Sequence, residues 1–336
     1  MSICIAAVIG ITYFYFLSPF SARPATTYLY IDNDDDADSV SSKLSAIARH
    51  HAMTGFNTLA RHSNYPKNIR TGRYAIEPGT PTLTVFRRLK NGMQTPVSLT
   101  IPSVRTKERL AAELSKRLMA DSASIATALN DGHTCRQFGL DTATIVCLFI
   151  PNTYDIYWNI SVENLLKRMQ AESDRFWTAG RKEKAMRMGL STCEVMTLAS
   201  IVDEETANEA EKPMVAGMYY NRLKLRNAEY PEGMPLQADP TIKFAWKQFK
   251  LKRIYHKLLT IDSPYNTYKY AGLPPGPIRI PSVMGIDAVL NHVEHGFLYM
   301  CAKEDFSGTH NFATTYNEHL KNAARYTKAL NERGIK

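Results

Sequence analysis

The sequence lacks the short motifs that mark several common kinds of enzyme site. It has no Gly-x-Ser-x-Gly elbow, which argues against a serine hydrolase built on that motif. It also has no Cys-x-x-Cys pair and no His-Glu-x-x-His run, which are typical ligand spacings for zinc. His292 and His295 flank Glu294, but their spacing differs from the zinc pattern, and adding His310 does not correct it. We therefore expect neither a metal nor a cofactor.

Cysteine is scarce, and positive charge is nowhere concentrated. Among five cysteines, Cys135 and Cys147 could close a short loop in an oxidising compartment, although free buried thiols are the favoured interpretation. Lys and Arg number 41 against 32 Asp and Glu, for a net charge of +9. These cations are scattered, and no basic–aromatic pattern of the RNA-binding type occurs, so we predict no nucleic-acid partner. A mildly basic surface favours anionic lipid headgroups or an acidic polymer.

One long apolar run is present, at the amino end. Residues 2–17 carry no charge, and the first charged side chain after Met1 is Arg23. A secretory signal peptide would have a basic flank and a small-residue cleavage site, and a core helix would have a polar face. We therefore predict a membrane anchor over residues 1–20, with Tyr13 and Tyr15 at the interface.

The region after this run indicates a small mixed module. Residues 32–38 are rich in Asp, but Ala37 and Lys43 stand where a calcium loop needs Gly and Glu. We interpret this stretch as a solvated turn that caps the following helix. A helix is predicted over residues 39–58 and a strand over residues 72–76. Modules of this type often bind sugar polymers or hold a domain away from the membrane.

Residues 198–206, LASIVDEET, are the most informative stretch for chemistry. Ser191 and Glu194 have the spacing of a capping box, and no Pro or Gly interrupts the chain between them and Pro213. We therefore predict that the stretch lies in the middle of a helix. At about 100° per residue, Glu205 falls inside the apolar stripe of that helix. The stripe consists of Leu198, Ile201 and Val202.

Of three adjacent acids, only Glu205 points toward the apolar side. Asp203 falls on the opposite face and Glu204 on a flank, and we predict that both are on the surface. A carboxylate held against apolar surface has a raised pKa, as a general acid requires near neutral pH. The alternative from the helix alone is a Glu at the rim that reaches solvent or pairs with Arg222 or Lys212.

Two irregular segments could form a binding cleft. Residues 233–239 end in Asp239, which could be the second acid of a two-carboxylate hydrolase. Residues 264–281 combine many prolines with Tyr, Asn and Thr side chains, which suits a stiff surface for binding sugar. Residues 147–151 read as a buried strand that ends at Pro151. The aromatic residues of these segments, each taken alone, fit an ordinary core.

Four ordered motifs connect these segments to a known family. They are L-A-S-I-V-x-x-E-T at 198–206, L-Q-A-D-P-T at 236–241, Y-N-T-Y-x-x-x-G-L-P-P-G-P-I at 265–278 and H-N-F at 310–312. In this combination the chain resembles the endolytic murein transglycosylase, or YceG-like, family. The run G-R-Y-x-I-x-P-G-T at 72–80 resembles the small LysM-like module of that family.

The resemblance implies an α+β fold. We expect a LysM-like α/β module, followed by a mixed α+β catalytic domain with a lysozyme-like helical active-site element, behind the membrane anchor. The expected boundaries are 1–20 for the transmembrane anchor, 27–96 for the LysM-like module, 97–190 for a connecting α+β subdomain and 191–336 for the catalytic domain.

The resemblance also implies an activity and a location. The family cleaves the MurNAc-β-1,4-GlcNAc bond of nascent peptidoglycan, forms 1,6-anhydroMurNAc ends and so terminates glycan strand elongation. This implies an inner-membrane protein with one membrane span and a catalytic domain facing the periplasm. The implied partners are peptidoglycan strands, the membrane and peptidoglycan synthases. A hydrolytic muramidase and a non-catalytic peptidoglycan-binding scaffold are the alternatives.

The family's catalytic Glu lies in a stretch with two acid positions, which here are Asp203 and Glu205. Glu205 precedes Thr206, as the catalytic Glu precedes Ser or Thr in lysozyme-like transglycosylases, so the resemblance assigns it the catalytic role. It implies no metal or cofactor. The expected substrate-binding residues are Gln237, Asp239, Tyr265, Asn266, Thr267, Tyr268, His310 and Phe312.

Overall fold

The computed structural model describes residues 1–251 and 253–334, which combine helices with short strands. Three two-stranded sheets pair β1 with β2, β3 with β4, and β5 with β6. The strands are β1 Thr27–Ile31, β2 Gly72–Ile76, β3 Val97–Thr100, β4 Thr153–Ile156, β5 Tyr299–Ala302 and β6 His310–Ala313. The helices are α1 Ser2–Thr12, α2 Ala37–Ser45, α3 His50–His62, α4 Thr82–Asn91, α5 Lys107–Ser115, α6 Ser122–Asn130, α7 Gly132–Gln137, α8 Val162–Phe176, α9 Ala179–Arg187, α10 Thr192–Glu205, α11 Lys212–Lys224, α12 Asp239–Ala245, α13 Val283–Leu290 and α14 Tyr316–Glu332. This is the mixed α+β architecture that was expected.

The chain divides into two compact units. The first consists of Met1–Leu99, Leu114–Asp121 and Thr153–Ser161. The second consists of Thr100–Glu113, Ser122–Asn152 and the chain from Val162 onward. Residues 97–190, the expected connecting subdomain, are thus shared between the two units. The expected catalytic domain, 191–336, lies within the second unit, apart from residues 252, 335 and 336, which lie outside the described residues.

The first unit is built on an antiparallel strand pair. Strands β1 and β2 pair in register from Thr27 opposite Ile76 to Ile31 opposite Gly72. Their inner side chains join those of α2, α3 and α4 in one apolar core, because each helix presents one buried stripe. Among the buried side chains of this core are Phe20, Ile31, Leu44, Phe56 and Tyr74.

The acidic turn and the helix after it differ in how well they were predicted. Asp36 caps α2 and its side chain accepts a hydrogen bond from the Ser39 backbone, as the prediction of a capping turn requires. The single helix predicted over residues 39–58 is instead two helices. The break occurs because the backbone of residues 47–49 pairs with the segment around Phe20 and Ala22. These tertiary hydrogen bonds replace those that would continue the helix.

The amino-terminal apolar run is helical over α1 and continues as a wider helical turn over Tyr13–Leu17. The side chains of α1 are exposed, and this helix has no charged residue in its first or last turn. Within the part of the chain that the structure describes, every helix is too short or too polar to cross a membrane.

The second unit has a core that surrounds α10. Residues Leu198, Ile201 and Val202 of α10 are completely buried. They pack in one core with side chains of α11 and α13, and both helices contact α10. Complete burial of three large aliphatic side chains contributes several kcal/mol, about 2 per side chain, and holds α10 in place.

A disulfide bond joins Cys147 to Cys193, the second residue of α10. The predictions for cysteine were therefore wrong for these two residues, since Cys147 bonds to Cys193 and not to Cys135. Cys135 is a free buried thiol. The two bonded residues lie 46 positions apart in the sequence, and tertiary folding brings their Cα atoms to 5.7 Å. The strand predicted from residue 147 is also wrong, because a short 3₁₀ helix, Ile145–Leu148, occupies its beginning.

Candidate active site

The candidate site begins at the carboxyl end of α10. The predicted capping box is present, with Ser191 and Glu194 each bonded to the other's backbone N–H. The helix does not continue to Pro213, however, and Glu205 is its last residue instead of lying near its middle. Thr206 is extended, and its hydroxyl donates a hydrogen bond to Glu211, which turns the chain away from the helix axis. Glu205 therefore lies where a packed helix meets a polar loop.

The Glu205 carboxyl lies in surroundings that favour its protonated form. Burial raises the pKa of Glu205 to about 7, which is the largest effect, and the nearby charge of Asp239 also raises it. The Tyr219 hydroxyl donates a 2.6 Å hydrogen bond to Oε1 of Glu205, which opposes the rise in pKa by stabilising the carboxylate. The charges of His310 and Lys243 also oppose it. A pKa near 7 suits a group that donates and then recovers a proton.

The two acids that precede Glu205 are paired with cations, and the prediction that they lie on the surface was wrong. The Asp203 side chain is 3% exposed and its Oδ1 lies 2.7 Å from Nζ of Lys212. It also accepts hydrogen bonds from the backbone and hydroxyl of Ser282. The Glu204 side chain is 11% exposed and forms a two-point pair with Arg105. Both carboxylates are therefore engaged in ion pairs.

Asp239 and Tyr268 come together beside Glu205. Asp239 is the first residue of α12 and is exposed, and its Oδ1 accepts a 2.6 Å hydrogen bond from the Tyr268 hydroxyl. Burial and the Asp239 hydrogen bond keep the pKa of Tyr268 above its usual value, so the hydroxyl remains a donor. The negative charge of Asp239 raises the pKa of Glu205, so the two carboxyl groups interact electrostatically.

Gln237 lies on the same loop and has an exposed side chain with a left-handed backbone, φ +53°. Its backbone N–H donates to the carbonyl of Thr267, which links the loop to the Tyr265–Tyr268 turn. Its Oε1 lies 3.4 Å from Nη1 of Arg222. A non-glycine residue in this conformation requires support from its surroundings, and the two loops provide it.

Asn266 and Thr267 hold this turn together, and both side chains are buried. Asn266 is completely buried, and its amide donates to the carbonyls of Leu259 and Ile261. The Thr267 hydroxyl accepts from the backbone of Ala238. The prediction that these two side chains line the cleft does not agree with their burial, because their polar atoms are used inside the protein. Their hydrogen bonds hold in place the loops that carry Asp239 and Tyr268.

Tyr265 packs elsewhere in the same unit, without a hydrogen bond or ring contact to Glu205 among the residues that the structure describes. Its ring packs against Phe244, with ring centres 4.7 Å apart, and it lines a separate cavity. Burial raises the pKa of Tyr265 to about 12. Its place in the structure is therefore the wall of a neighbouring cavity.

His310 and Phe312 lie on β6. Nδ1 of His310 is 2.8 Å from Oε2 of Glu211, and the His310 backbone N–H donates to the other oxygen. The Phe312 ring packs near Phe297, with centroids 5.7 Å apart. The His310 charge lowers the pKa of Glu205, so this strand end lies close to the acid.

Sequence reasoning missed three residues of the site, Tyr219, Glu211 and Lys243. Tyr219 falls within the apolar pattern of α11, and its hydroxyl reaches Glu205. A phenol in a buried stripe usually has a hydrogen-bond partner, and this was the available signal. Glu211 and Lys243 have no local signature. Within the described ranges, no cluster of three His, Cys, Asp or Glu could hold a metal ion.

Three kinds of comparison connect the chain to known proteins. The sequence matches the YceG-like family over residues 29–325. A Bacillus subtilis protein named endolytic murein transglycosylase is 35% identical over 173 residues, covering 52% of this chain and 45% of the relative. A Streptococcus pneumoniae protein of the same name is 28% identical over 308 residues, covering 82% of this chain and 53% of the relative. The chain thus spans about half the length of these curated relatives.

The fold also has a counterpart among solved structures. The crystal structure of a yceG-like protein from Listeria monocytogenes aligns with 89% of this chain and 99% of its own, with a TM-score of 0.55 and 24% identity. The fold and the site define an α+β protein with one acid suited to proton transfer at the end of a core helix. The chain belongs to the YceG-like family.

Proposed function

We propose that the protein is an endolytic lytic transglycosylase that cleaves the MurNAc-β-1,4-GlcNAc bond of peptidoglycan. One observation supports this proposal above all: Glu205 combines a pKa of about 7 with an oriented carboxyl at a loop-lined helix end. The name of the Bacillus and Streptococcus relatives agrees with it. A lone acid that can lose and regain a proton near neutral pH is sufficient for this reaction.

In the proposed mechanism, Glu205 acts first as acid and then as base. Its proton goes to the glycosidic oxygen, the bond to C1 of MurNAc breaks and an oxocarbenium-like state forms. The 6-hydroxyl of the same sugar then attacks C1, and its proton returns to the Glu205 carboxylate. The product is a 1,6-anhydro ring, no water is consumed and the enzyme regains its starting state. The substrate supplies the nucleophile, so a second carboxylate is not required for that step.

The neighbouring residues have supporting roles in this proposal. The Tyr219 hydroxyl fixes which Glu205 oxygen faces the substrate, since it occupies Oε1. The Asp239 carboxylate, oriented by Tyr268, adds negative charge that favours an oxocarbenium-like state. Gln237 is exposed on the loop that precedes Asp239, and His310 and Phe312 lie half-buried on β6. These residues orient the sugar.

The predicted domain organisation and location are part of the proposal. A LysM-like module over residues 27–96 is supported by the small α/β architecture of the first unit. A connecting subdomain over 97–190 and a catalytic domain over 191–336 complete it. The exposed apolar side chains of α1 support an amino-terminal membrane anchor within residues 1–20. From the family resemblance we further propose an inner-membrane location with the catalytic domain in the periplasm, and peptidoglycan synthases as partners.

The decisive experiment is mass spectrometry of peptidoglycan digested by the purified full chain. We expect glycan fragments that end in 1,6-anhydroMurNAc, and the Glu205→Gln variant should reduce their formation at least about 100-fold. Glu209→Gln, a nearby exposed acid, is the matched control and should keep full activity. Reducing MurNAc ends in place of anhydro ends would indicate a muramidase, with Asp239 as base. Absence of any cleavage would favour the scaffold.

A further inference from the structure

A cavity lies in the same compact unit as the candidate active site, and Glu205 is not part of its lining. Its volume is about 230 Å³, and cationic and aromatic side chains line it together. The cations include Arg105, Lys107 and Lys247, and the aromatic rings include Phe244 and Phe249. The mechanism proposed above uses none of these side chains.

The charges in this cavity are unbalanced. Arg105 and Arg279 share the carboxylate of Glu204, and Arg105 binds it through Nε and Nη2, so its Nη1 remains available. The Lys107 ammonium donates to two backbone carbonyls, which satisfy hydrogen bonds without neutralising the charge. Lys247 is exposed and forms no ion pair with any residue that the structure describes. Against these cations the lining includes the carboxylate of Glu108, so positive charge remains in excess.

The size and lining of the cavity limit its ligand. Sites for drug-sized molecules have volumes of roughly 300–1,000 Å³, so this cavity holds one substituent and not a disaccharide. Its aromatic rings favour an aliphatic body, and its guanidinium and ammonium groups favour a carboxylate. The best match is therefore a carboxylate on a short aliphatic chain, as in an acidic amino-acid residue.

A smaller depression adjoins the cavity and is lined in part by residues that neighbour Glu205. That depression shares Arg105 and Phe249 with the cavity, and Glu204 and Lys243 also line it. Glu204 directly precedes Glu205, and the Lys243 charge acts on the Glu205 carboxyl. A substituent of a sugar bound at Glu205 could thus extend into the cavity.

We propose that this cavity binds a carboxylate of the peptide stem that peptidoglycan carries on its MurNAc residues, with Arg105, Lys107 and Lys247 as the recognising cations. The inference rests on the proposed function, because that function supplies a glycan with peptide side chains. It goes further by making the stem a determinant of substrate choice. Strands with peptide stems should be cleaved in preference to the same strands without them.

The first test compares cleavage of two substrates by the full chain. Glycan strands with intact stems and strands stripped of stems by an amidase are digested by wild type and by Lys247→Met. Methionine keeps an unbranched side chain at a position whose φ is +54°, so only the charge is lost. We expect kcat/KM to fall about fivefold on stem-bearing strands, the size of an exposed charge pair, and to stay unchanged on stripped strands.

The matched control is Lys250→Met, which removes an exposed lysine near the cavity but outside its lining. This variant should treat both substrates as wild type does. An equal effect of Lys247→Met on both substrates, or no effect on either, would overturn the inference.

A binding measurement separates this inference from the proposed function. Calorimetry with the Glu205→Gln protein uses a soluble disaccharide-peptide, the same compound with its carboxylates amidated, and the bare disaccharide. We expect the free-carboxylate compound to bind about fivefold more tightly than either other probe, and Lys247→Met to abolish this difference. If that result appears without any strand cleavage by wild type, the cavity assignment stands and the enzyme proposal falls. If cleavage yields anhydro ends while the three probes bind equally, the reverse holds.

Discussion

At the residue scale, the burial that raises the pKa of Glu205 also makes folding less favourable when its carboxyl is ionised. Its pKa in the folded chain is about 7, above the ordinary value of 4.5, so the fold favours the protonated carboxyl. The ionised form is therefore unfavourable in the native state, and the loss of stability grows as pH rises from about 4.5 to about 7. Below that window the effect is absent. If Glu205 has the proposed catalytic role, activity and stability conflict at this single side chain.

Glu205→Gln should therefore stabilise the protein while removing its activity. A neutral amide has no ionised form to bury and can still accept the Tyr219 hydrogen bond. From the linkage relation we expect the gain in unfolding free energy to be about 3 kcal/mol at pH 8 and less than about 1 kcal/mol at pH 5. Denaturant unfolding of both proteins at the two pH values measures this difference. A gain independent of pH would contradict the raised pKa.

The Tyr219 hydroxyl should control the pH range of activity. Its hydrogen bond to Glu205 lowers the acid's pKa, so Tyr219→Phe should raise that pKa further and move the alkaline limb of the kcat/KM profile upward by about one pH unit. Tyr220→Phe is the control, since that neighbouring hydroxyl donates to the Met188 carbonyl. Its profile should match wild type. If the kcat/KM profile of Tyr219→Phe matched that of wild type, the Tyr219 hydroxyl would have no role in setting the pKa of Glu205.

At the scale of elements, the site depends on two loops that are fastened to each other. The Thr267 hydroxyl is the centre of this link, because it accepts from the Ala238 backbone and lies 2.8 Å from the Thr241 hydroxyl. The loops carry Asp239 and Tyr268, whose side chains then meet. Asp239 is thus exposed, while the Thr267 side chain that positions its loop is buried.

Thr267→Val should weaken this link without changing the shape of the side chain. It leaves the buried Ala238 N–H without its acceptor, so we expect a loss of about 1–3 kcal/mol in the free energy of unfolding. Thr267→Ser keeps the hydroxyl and loses only a methyl group, which should cost about 1 kcal/mol. Chemical denaturation of both variants gives the comparison. The role of the hydroxyl would be refuted if Ser proved as destabilising as Val.

At the scale of the whole molecule, the Cys147–Cys193 disulfide cross-links two segments of the second unit. The bond attaches the first turn of α10 to the 3₁₀ helix Ile145–Leu148, at the opposite end of α10 from Glu205. The helix that carries the acid is therefore held covalently at its start and by the apolar core along its length.

Reduction of this disulfide should lower stability. The bond closes a loop with a sequence separation of 46 residues, for which the chain-entropy relation gives about 4 kcal/mol. Thermal unfolding with and without a thiol reductant should show a lower midpoint in the reduced protein, and the Cys147→Ser/Cys193→Ser variant should match it and no longer respond to reductant. Cys301→Ser, which removes a free thiol, is the control and should keep the wild-type response.

Much of the local structure follows from the sequence. The capping box starts α10 as predicted, β2 has the predicted bounds, and the apolar stripe of α10 directs Glu205 toward the site. These features depend on residues within a few positions of one another, and side-chain period and capping chemistry report them directly. The family motifs added the expectation of a sugar cleft around Glu205.

The tertiary structure alone decided which groups meet. It ended α10 at Glu205, paired Asp203 with Lys212, attached Cys147 to Cys193 and brought the Tyr219 hydroxyl to the acid. Partners separated by 9 to 46 positions are selected by packing, because many side chains could satisfy the same local pattern. The family motifs singled out Glu205 as the candidate acid, and its pKa of about 7 follows from the burial and charges that folding assembles around it.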